Sequence, residues 1–249
     1  MNQTVVISGS GVWNPPHIIT NEELVDSYNA YSAKFNAENS ASIEDGSVEE
    51  MAMSSAPFIE KVSGIKQRYI YIKDGALDID RMRPRIPKRS DDELSHQAEF
   101  ALNAAKIALK DANKEAADID AVIVSCAYTE RAYPAISIEV QEALNIKGFG
   151  FDMLVACSAA TFALQRAYEM VIAGTAKCVL VINPELTSPQ VNYKDRDGHF
   201  IFGDVSTAVV IEGSDTCNSE HSYEVLGTKA VTQFSNNIRS NFGYVSHAI

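Results

Sequence analysis

Phe151-Asp-Met-Leu-Val-Ala-Cys157-Ser-Ala-Ala-Thr-Phe-Ala-Leu164 decides how this chain folds. An apolar run suited to a strand gives way, at a cysteine, to small residues suited to a helix. A strand that turns straight into a helix leaves the first backbone N–H groups of that helix without partners at the turn. Those groups, with the positive end of the helix dipole, favour a thiolate and a developing oxyanion in front of them. The flanking Ala156, Ser158, Ala159 and Ala160 leave room for a ligand to approach. Cys157 is therefore the candidate nucleophile, although the same pattern also suits a buried structural cysteine. Cys126 ends an expected strand, Cys178 begins one and Cys217 lies in a polar stretch, so these are poorer candidates.

Working outward, Ala121–Val124, Val179–Ile182 and Ala208–Ile211 are continuous apolar runs of the kind buried on both faces of a sheet. Tyr223–Thr228 is a further expected strand. Helices are expected over Ile136–Leu144 and from just past Cys157 to Gly174. Upstream, Thr4–Ser8 opens a strand, and Thr20 or Asn21 caps a helix to about Phe35. Residues 36–47 read as a polar loop and Val48–Val62 as a helix interrupted at Pro57. Gln67–Ile72 reads as a short strand, and 73–90 as a basic surface excursion. Ser90 and Glu93 form a capping box that opens a helix to Ala112. Strands alternating with helices predict an α/β fold with a mixed sheet covered on both faces.

Composition narrows the function. The chain has 249 residues, 46% hydrophobic, and a net charge of −12. A uniformly acidic surface repels phosphate backbones and anionic lipid, which argues against nucleic-acid and membrane partners. The opening MNQTVVISGSGVW has no basic segment and too short an apolar run for a signal peptide. No CxxC pair points to a structural metal, so none is expected. These features predict a cytoplasmic protein with reduced thiols.

Five further segments stand in a telling order: Ser8-Gly-Ser-Gly11 with Pro15-Pro16; Phe58-Ile-Glu-Lys-Val-Ser-Gly-Ile-Lys-Gln-Arg68; Arg131-Ala-Tyr-Pro134; Ile146-Lys-Gly148 with Phe151-Asp152; and Asp195-Arg196, Phe202-Gly-Asp204 and Thr207-Ala-Val-Val210. With Cys157 they make the chain resemble the β-ketoacyl-(acyl-carrier-protein) synthases of type III, in the thiolase superfamily. The resemblance covers nearly the whole chain. It implies a thiolase-like α/β fold with a mixed five-stranded sheet layered with helices. Residues 1–214 would form the N-terminal half-domain, with insertions about 36–57 and 73–90. Residues 215–249 would only begin the second half-domain.

The resemblance also implies a mechanism. Cys157 takes an acyl group from a thioester primer, acyl-CoA or acyl carrier protein. Malonyl-(acyl carrier protein) then decarboxylates, and its carbanion attacks the acyl group, giving a β-ketoacyl thioester two carbons longer for fatty acid biosynthesis. Acyl carrier protein is the implied partner, and no cofactor is implied beyond these substrates. A homodimer is implied, with Tyr133 lining the acyl pocket of the neighbouring subunit; the alternative for Tyr133 is an ordinary buried aromatic. The family holds the coenzyme A adenine between a Trp and an Arg, and the matching positions are Phe58 and Val62. Arg68 matches an arginine of the same element and is a candidate substrate contact; the alternative is a salt-bridged surface residue. The basic side chains of 73–90 would replace lost contacts, touch the carrier protein or simply be solvated. Longer helices before residue 58 suggest a cap over a longer acyl tunnel, hence a medium-chain primer. Asp204 is expected to brace loops behind the nucleophile.

The family's catalytic His and Asn come from its second half-domain, and no segment here matches them. The chain ends 249 − 157 = 92 residues after the nucleophile, so a piece of a longer protein, or a truncated gene product, is expected. His17, His96, His199, His221 and His247 sit in no matching motif and are expected on the surface or in loops. Three other functions stay open. They are another acyl transfer of the superfamily, a non-catalytic dimer partner, and a cysteine hydrolase. An intact Cys157 speaks against the second, and the absence of an activating histidine motif against the third.

Overall fold

The computed structural model describes residues 3–236. In chain order the elements are β1 (Val5–Trp13), β2 (His17–Thr20), α1 (Asn21–Glu38), α2 (Ser40–Glu44), α3 (Ala56–Ser63), β3 (Gln67–Ile70), α4 (His96–Asp111) and β4 (Ala121–Cys126). There follow α5 (Ile136–Leu144), β5 (Phe149–Leu154), α6 (Ala159–Ala173), β6 (Cys178–Glu185), β7 (Val205–Gly213) and β8 (Tyr223–Glu224). The main sheet has the order β5-β4-β6-β7-β1-β8. β5, β4 and β6 run parallel, and β7 and β1 add antiparallel.

The apolar strands are buried on both faces because helices cover both. Val122, Val124, Leu180 and Ile182 pack with Ala101, Ala104, Ala105 and Ala108 of α4. Ala121, Ile123, Val179 and Val181 point the other way, onto Ala163, Ala167 and Met170 of α6. This is the period of two of a strand, read on each side by a different helix. The α4 face is alanine, so the helix lies very close to β1. A Cβ at Gly9 would stand 2.4 Å from the Ala112 nitrogen, and one at Gly11 would stand 2.3 Å from the Ala104 oxygen. Only glycine permits that approach.

A second, smaller core joins α1, α3 and the β2–β3 hairpin to Tyr193 and Phe200. Residues 51–54 are laid along α1 by two asparagines spaced two turns apart. Asn29 exchanges two hydrogen bonds with the Ser54 backbone, and Asn36 does the same with Met51.

The α/β, thiolase-like layering matches expectation, with one correction to the sheet. It has six strands rather than five, because Tyr223–Glu224 pairs with β1. That sixth strand is two residues long, where Tyr223–Thr228 was expected. The segment 36–47 is not simply a loop: α1 runs on to Glu38, and α2 follows. Conversely, the second helix begins only at Ala56, because Ser55 caps it and Pro57 fits its first turn. The Ser90–Glu93 pair forms its hydrogen bonds, but in a turn. Ser95 is the true cap of α4, accepting from the Ala98 N–H. Thr20 caps α1 in a full capping box with Glu23.

Candidate active site

Cys157 lies in a single tight turn, Ala156–Ser158, between the end of β5 and the start of α6. Its side chain is exposed. Ala156, the residue before it, has φ +47°. That left-handed conformation is strained for a side-chain-bearing residue and is held only where its surroundings enforce it. It swings the chain sharply from strand to helix and leaves Cys157 on the outside of the bend. The N-cap position of α6, Ser158, makes no side-chain capping bond. The side chain of its own N-cap residue therefore leaves the first N–H groups of this 15-residue helix unclaimed. Beside the turn, Ser158, Thr161, Phe162 and Leu164, with Val225 and Val231, line an open groove of about 390 Å³.

The surroundings brace this turn. Asp152 of β5 accepts from the Ile136 and Ser137 N–H groups at 2.8 and 2.9 Å, capping α5 from the neighbouring strand. Asp204 is buried and accepts from the Tyr71 and Ser188 N–H groups at 2.9 and 2.7 Å. It thereby ties the end of β3 to the loop after β6, the bracing role expected of it. Burial nevertheless holds its carboxyl above the usual range. Cys126 and Cys178 are buried, and desolvation pushes both thiols up to about 12.

The remaining candidates fall out as follows. Tyr133 is 84% exposed, so it is not an ordinary buried aromatic of its own subunit. Arg68 is not a salt-bridged surface residue. It is 7% exposed and donates to the Ile19 carbonyl and the Asn21 side chain, both neutral. Desolvation lowers its pKa, and its Nε has no hydrogen-bond partner among the described residues. Phe58 is half-buried, and the group on its face is not Val62, which is 54% exposed. The Arg196 guanidinium sits 4.1 Å from the Phe58 ring centroid. It is held there by donation from Nε to the Met53 carbonyl at 2.9 Å. The Asp195-Arg196 motif carried the signal for this pair, but nothing local joins it to Phe58. Three of the six basic side chains of the excursion pair with the chain's own carboxylates. Lys73 pairs with Glu23, Arg85 with Asp74 and Asp78, and Arg89 with Glu99.

Two histidines also differ from expectation. His96 and His199 are 2% and 1% exposed, because each packs against aromatic neighbours, Tyr71 and Tyr28 respectively. His199 Nδ1 is bound to the Asp195 carbonyl, and burial lowers its pKa. His247 and the 237–249 portion of the expected second half-domain lie outside the described residues.

Comparison with known proteins bears on this arrangement. Residues 151–233, which include Cys157 and Asp204, match the family model for 3-oxoacyl-[acyl-carrier-protein (ACP)] synthase III. A β-ketodecanoyl-[acyl-carrier-protein] synthase of Pseudomonas aeruginosa is 48% identical over 224 residues, 90% of this chain and 64% of that protein. Over these residues the chain is similar to the 3-oxoacyl-[acyl-carrier-protein] synthase III family. A family member from Granulibacter bethesdensis is 28% identical over 90% of this chain and 56% of its own length. The solved synthase III of Aquifex aeolicus superposes with a TM-score of 0.61 at 28% identity, over 85% of this chain and 54% of its own. The synthase III structure of Pseudomonas aeruginosa, at 21% identity and TM-score 0.62, shares the fold over 86% of this chain and 53% of its own. The chain thus spans between about half and two thirds of the length of these relatives. Among the described residues, no helix is long and apolar enough to cross a membrane.

Proposed function

We propose that this chain carries the acyl-loading centre of a synthase III-type condensing enzyme of fatty acid biosynthesis, an acyltransferase. The observation that carries the proposal is the exposed Cys157 in a strained turn at the uncapped start of α6. The thiolate attacks the carbonyl carbon of an acyl thioester. A new S–C bond forms, the bond to the carrier sulfur breaks, and the carrier leaves as its thiol after taking a proton. The uncapped N–H groups of α6 stabilise the oxyanion in between.

The primer is a medium-chain acyl thioester. The name of the 48% relative, a β-ketodecanoyl synthase, supports this. A ten-carbon product of a two-carbon extension starts from an eight-carbon primer. Phe58 with Arg196 offers an aromatic and a cation for a coenzyme A primer, in place of the Trp and Arg that the family resemblance puts at the positions of Phe58 and Val62. Acyl carrier protein brings the malonyl group. Decarboxylation and condensation need the His and Asn that the family resemblance assigns to the second half-domain.

The chain works as a homodimer. Among the described residues β5 pairs only with β4, and its Phe149 and Leu154 are exposed. Such an edge is completed by a second copy. Four free cysteines support a cytoplasmic setting.

The test is acylation by labelled octanoyl-CoA, followed by peptide mapping. Label on Cys157, lost in Cys157→Ala, is expected, with no appreciable release of CO₂ from malonyl-(acyl carrier protein). Label on Cys126, or label retained in Cys157→Ala, contradicts the loading role. Decarboxylative turnover by these 249 residues alone contradicts the assignment of the second catalytic groups elsewhere.

A further inference from the structure

Residues 81–85 read Arg-Met-Arg-Pro-Arg, and the structure sorts them with the period of two of an extended chain. Met82 is 4% exposed and Pro84 is buried, whereas Arg81, Arg83 and Arg85 all face solvent. The loop is built to hold that display. The Arg83 and Arg85 N–H groups donate to the Gly75 and Asp74 carbonyls, each at 2.9 Å. Gly75 has φ +80°, and a Cβ there would stand 2.6 Å from the Arg83 carbonyl oxygen. Met82 has φ +53°, a left-handed conformation that costs energy in a residue with a side chain. Its sulfur accepts from the Ser27 hydroxyl at 3.4 Å, which pins the strip to α1.

The arginine heads are fixed as well. Arg81 Nε donates to the Arg83 carbonyl at 2.9 Å, and Arg83 Nε donates to the Pro189 carbonyl at 3.3 Å. Each guanidinium is held at its inner nitrogen, and among the described residues neither pairs with a carboxylate. Arg85 differs, because Asp74 and Asp78 take both its outer nitrogens. Asp78 also feels the charge of Arg81 but pairs with Arg85. Lys88 is exposed and forms no ion pair among the described residues. On a chain of net charge −12 this strip is a local exception. Backbone strain and like-charge repulsion are both accepted here, with no return inside the chain. Holding the heads in place lowers the ordering cost of binding an anionic partner.

The strip lies beside the pair proposed to receive the primer. Pro189 belongs to the loop after β6 that runs on to Arg196, the partner of Phe58. Met82 shares the second core with Phe200, whose ring meets Phe58 edge-on at 6.4 Å. Outward residues of an extended strip repeat at about 7 Å. Carboxylates one turn apart on a helix repeat at about 5–6 Å, a difference that long arginine side chains absorb. A single phosphate needs donors converging on one point, whereas these cations are strung along the strip. We propose that Arg81, Arg83 and Lys88 form a docking surface for an acidic helix of the acyl carrier protein, seating the carrier so that its arm enters beside Phe58. The inference rests on the proposed loading role of Cys157.

The experiment uses the full chain, the double variant Arg81→Gln, Arg83→Gln, the double variant Arg81→Lys, Arg83→Lys, and Lys88→Gln. Fluorescence anisotropy reads binding of unacylated acyl carrier protein bearing its phosphopantetheine, at about 0.05 and 0.3 M salt. Acylation of Cys157 by octanoyl-CoA is measured beside it. The double glutamine variant is expected to bind the carrier about tenfold more weakly at low salt, roughly threefold for each exposed charge pair. It should also lose most of the salt dependence of the parent. Its acylation by octanoyl-CoA, which brings no protein surface, should stay within about twofold of the parent. The double lysine variant keeps the charge and should bind within about threefold of the parent. Lys88→Gln, at a residue that braces nothing, should weaken binding about threefold.

Unchanged carrier binding in the double glutamine variant overturns the proposal, and so does a parent chain that does not bind the carrier. A double lysine variant as weak as the glutamine one removes the electrostatic basis and overturns it as well. An equal fall in acylation by octanoyl-CoA assigns the arginines to the coenzyme instead and overturns the docking role. A carrier that binds no tighter than polyglutamate of equal charge marks a general anion surface, which overturns the assignment too. If octanoyl-CoA does not acylate Cys157 in the parent, the loading reading fails; the carrier-binding loss then decides the docking surface by itself.

Discussion

Replacing Lys114 with methionine should cost this fold more than any surface mutation. Lys114 follows α4, and its ammonium lies 2.8 Å from a carboxylate oxygen of Glu212 near the end of β7. Their side chains are 5% and 0% exposed. Lys114 also donates to the Thr216 carbonyl at 2.7 Å, and the Thr216 hydroxyl donates to Glu212 at 2.7 Å. The other Glu212 oxygen is buried without a hydrogen-bond partner among the described residues. Burial pulls the Lys114 ammonium down, but its bond to Glu212 more than offsets this and leaves it above its usual range. Methionine keeps the volume and removes the charge, so Glu212 is stranded with only Thr216. Breaking one side of a buried pair costs about 3–5 kcal/mol. At about 2–4 °C per kcal/mol for a chain of this size, the melting temperature should fall by roughly 6–20 °C. Thermal unfolding followed by circular dichroism, with a guanidinium titration beside it, reads the change. The double variant Lys114→Met, Glu212→Leu replaces the pair with apolar groups and should return to within about 1 kcal/mol of the parent. A loss below about 1 kcal/mol in the single variant, or a double variant no better than the single, would refute the reasoning.

Three more expectations follow from the same geometry. Iodoacetamide at pH 8 should modify Cys157 in the folded chain and spare Cys126 and Cys178, because thiols pushed to about 12 are thiolate in only roughly one part in 10⁴; rapid loss of Cys126 without unfolding would contradict the burial. Burial raises the Glu185 carboxyl to about 7, so its contribution to stability is present at low pH and is lost as pH rises from about 4.5 through 7. Glu185→Gln keeps the acceptor for Ala127 and should be more stable than the parent at pH 8 by on the order of 2 kcal/mol, but not at pH 4, and a difference independent of pH would count against the assignment. If the chain forms the proposed dimer, Leu154→Glu on the open edge of β5 should shift it to monomer in sedimentation, and a parent that sediments as a monomer, or a dimer unaltered by the substitution, would contradict the β5 interface.

The strand-to-helix turn at Cys157 was legible in the sequence because its signal is local. The change from an apolar run to small helix formers at Cys157 is a change of period within a dozen residues, and local sterics are enough to produce it. The same holds for the Thr20 capping box and for the buried runs at Val122–Val124 and Val179–Ile182. Where two local signals competed, the nearer one misled. Ser90 and Glu93 make their hydrogen bonds, yet α4 begins at Ser95, because Glu139 from α5 reaches Ser95 and fixes the helix start from outside. Only the tertiary structure decided the partners of the charged and aromatic groups. Arg196 meets Phe58 because the 51–54 segment is laid along α1 by Asn29 and Asn36 and presents the Met53 carbonyl to it. Arg68 and His96 look like solvent-facing polar residues in one dimension and are buried in three. Tyr133, for which an ordinary buried aromatic was the alternative reading, stands in water. Secondary structure follows from the residues within a turn or two, whereas the partner of a side chain depends on which distant backbone the sheet order brings beside it.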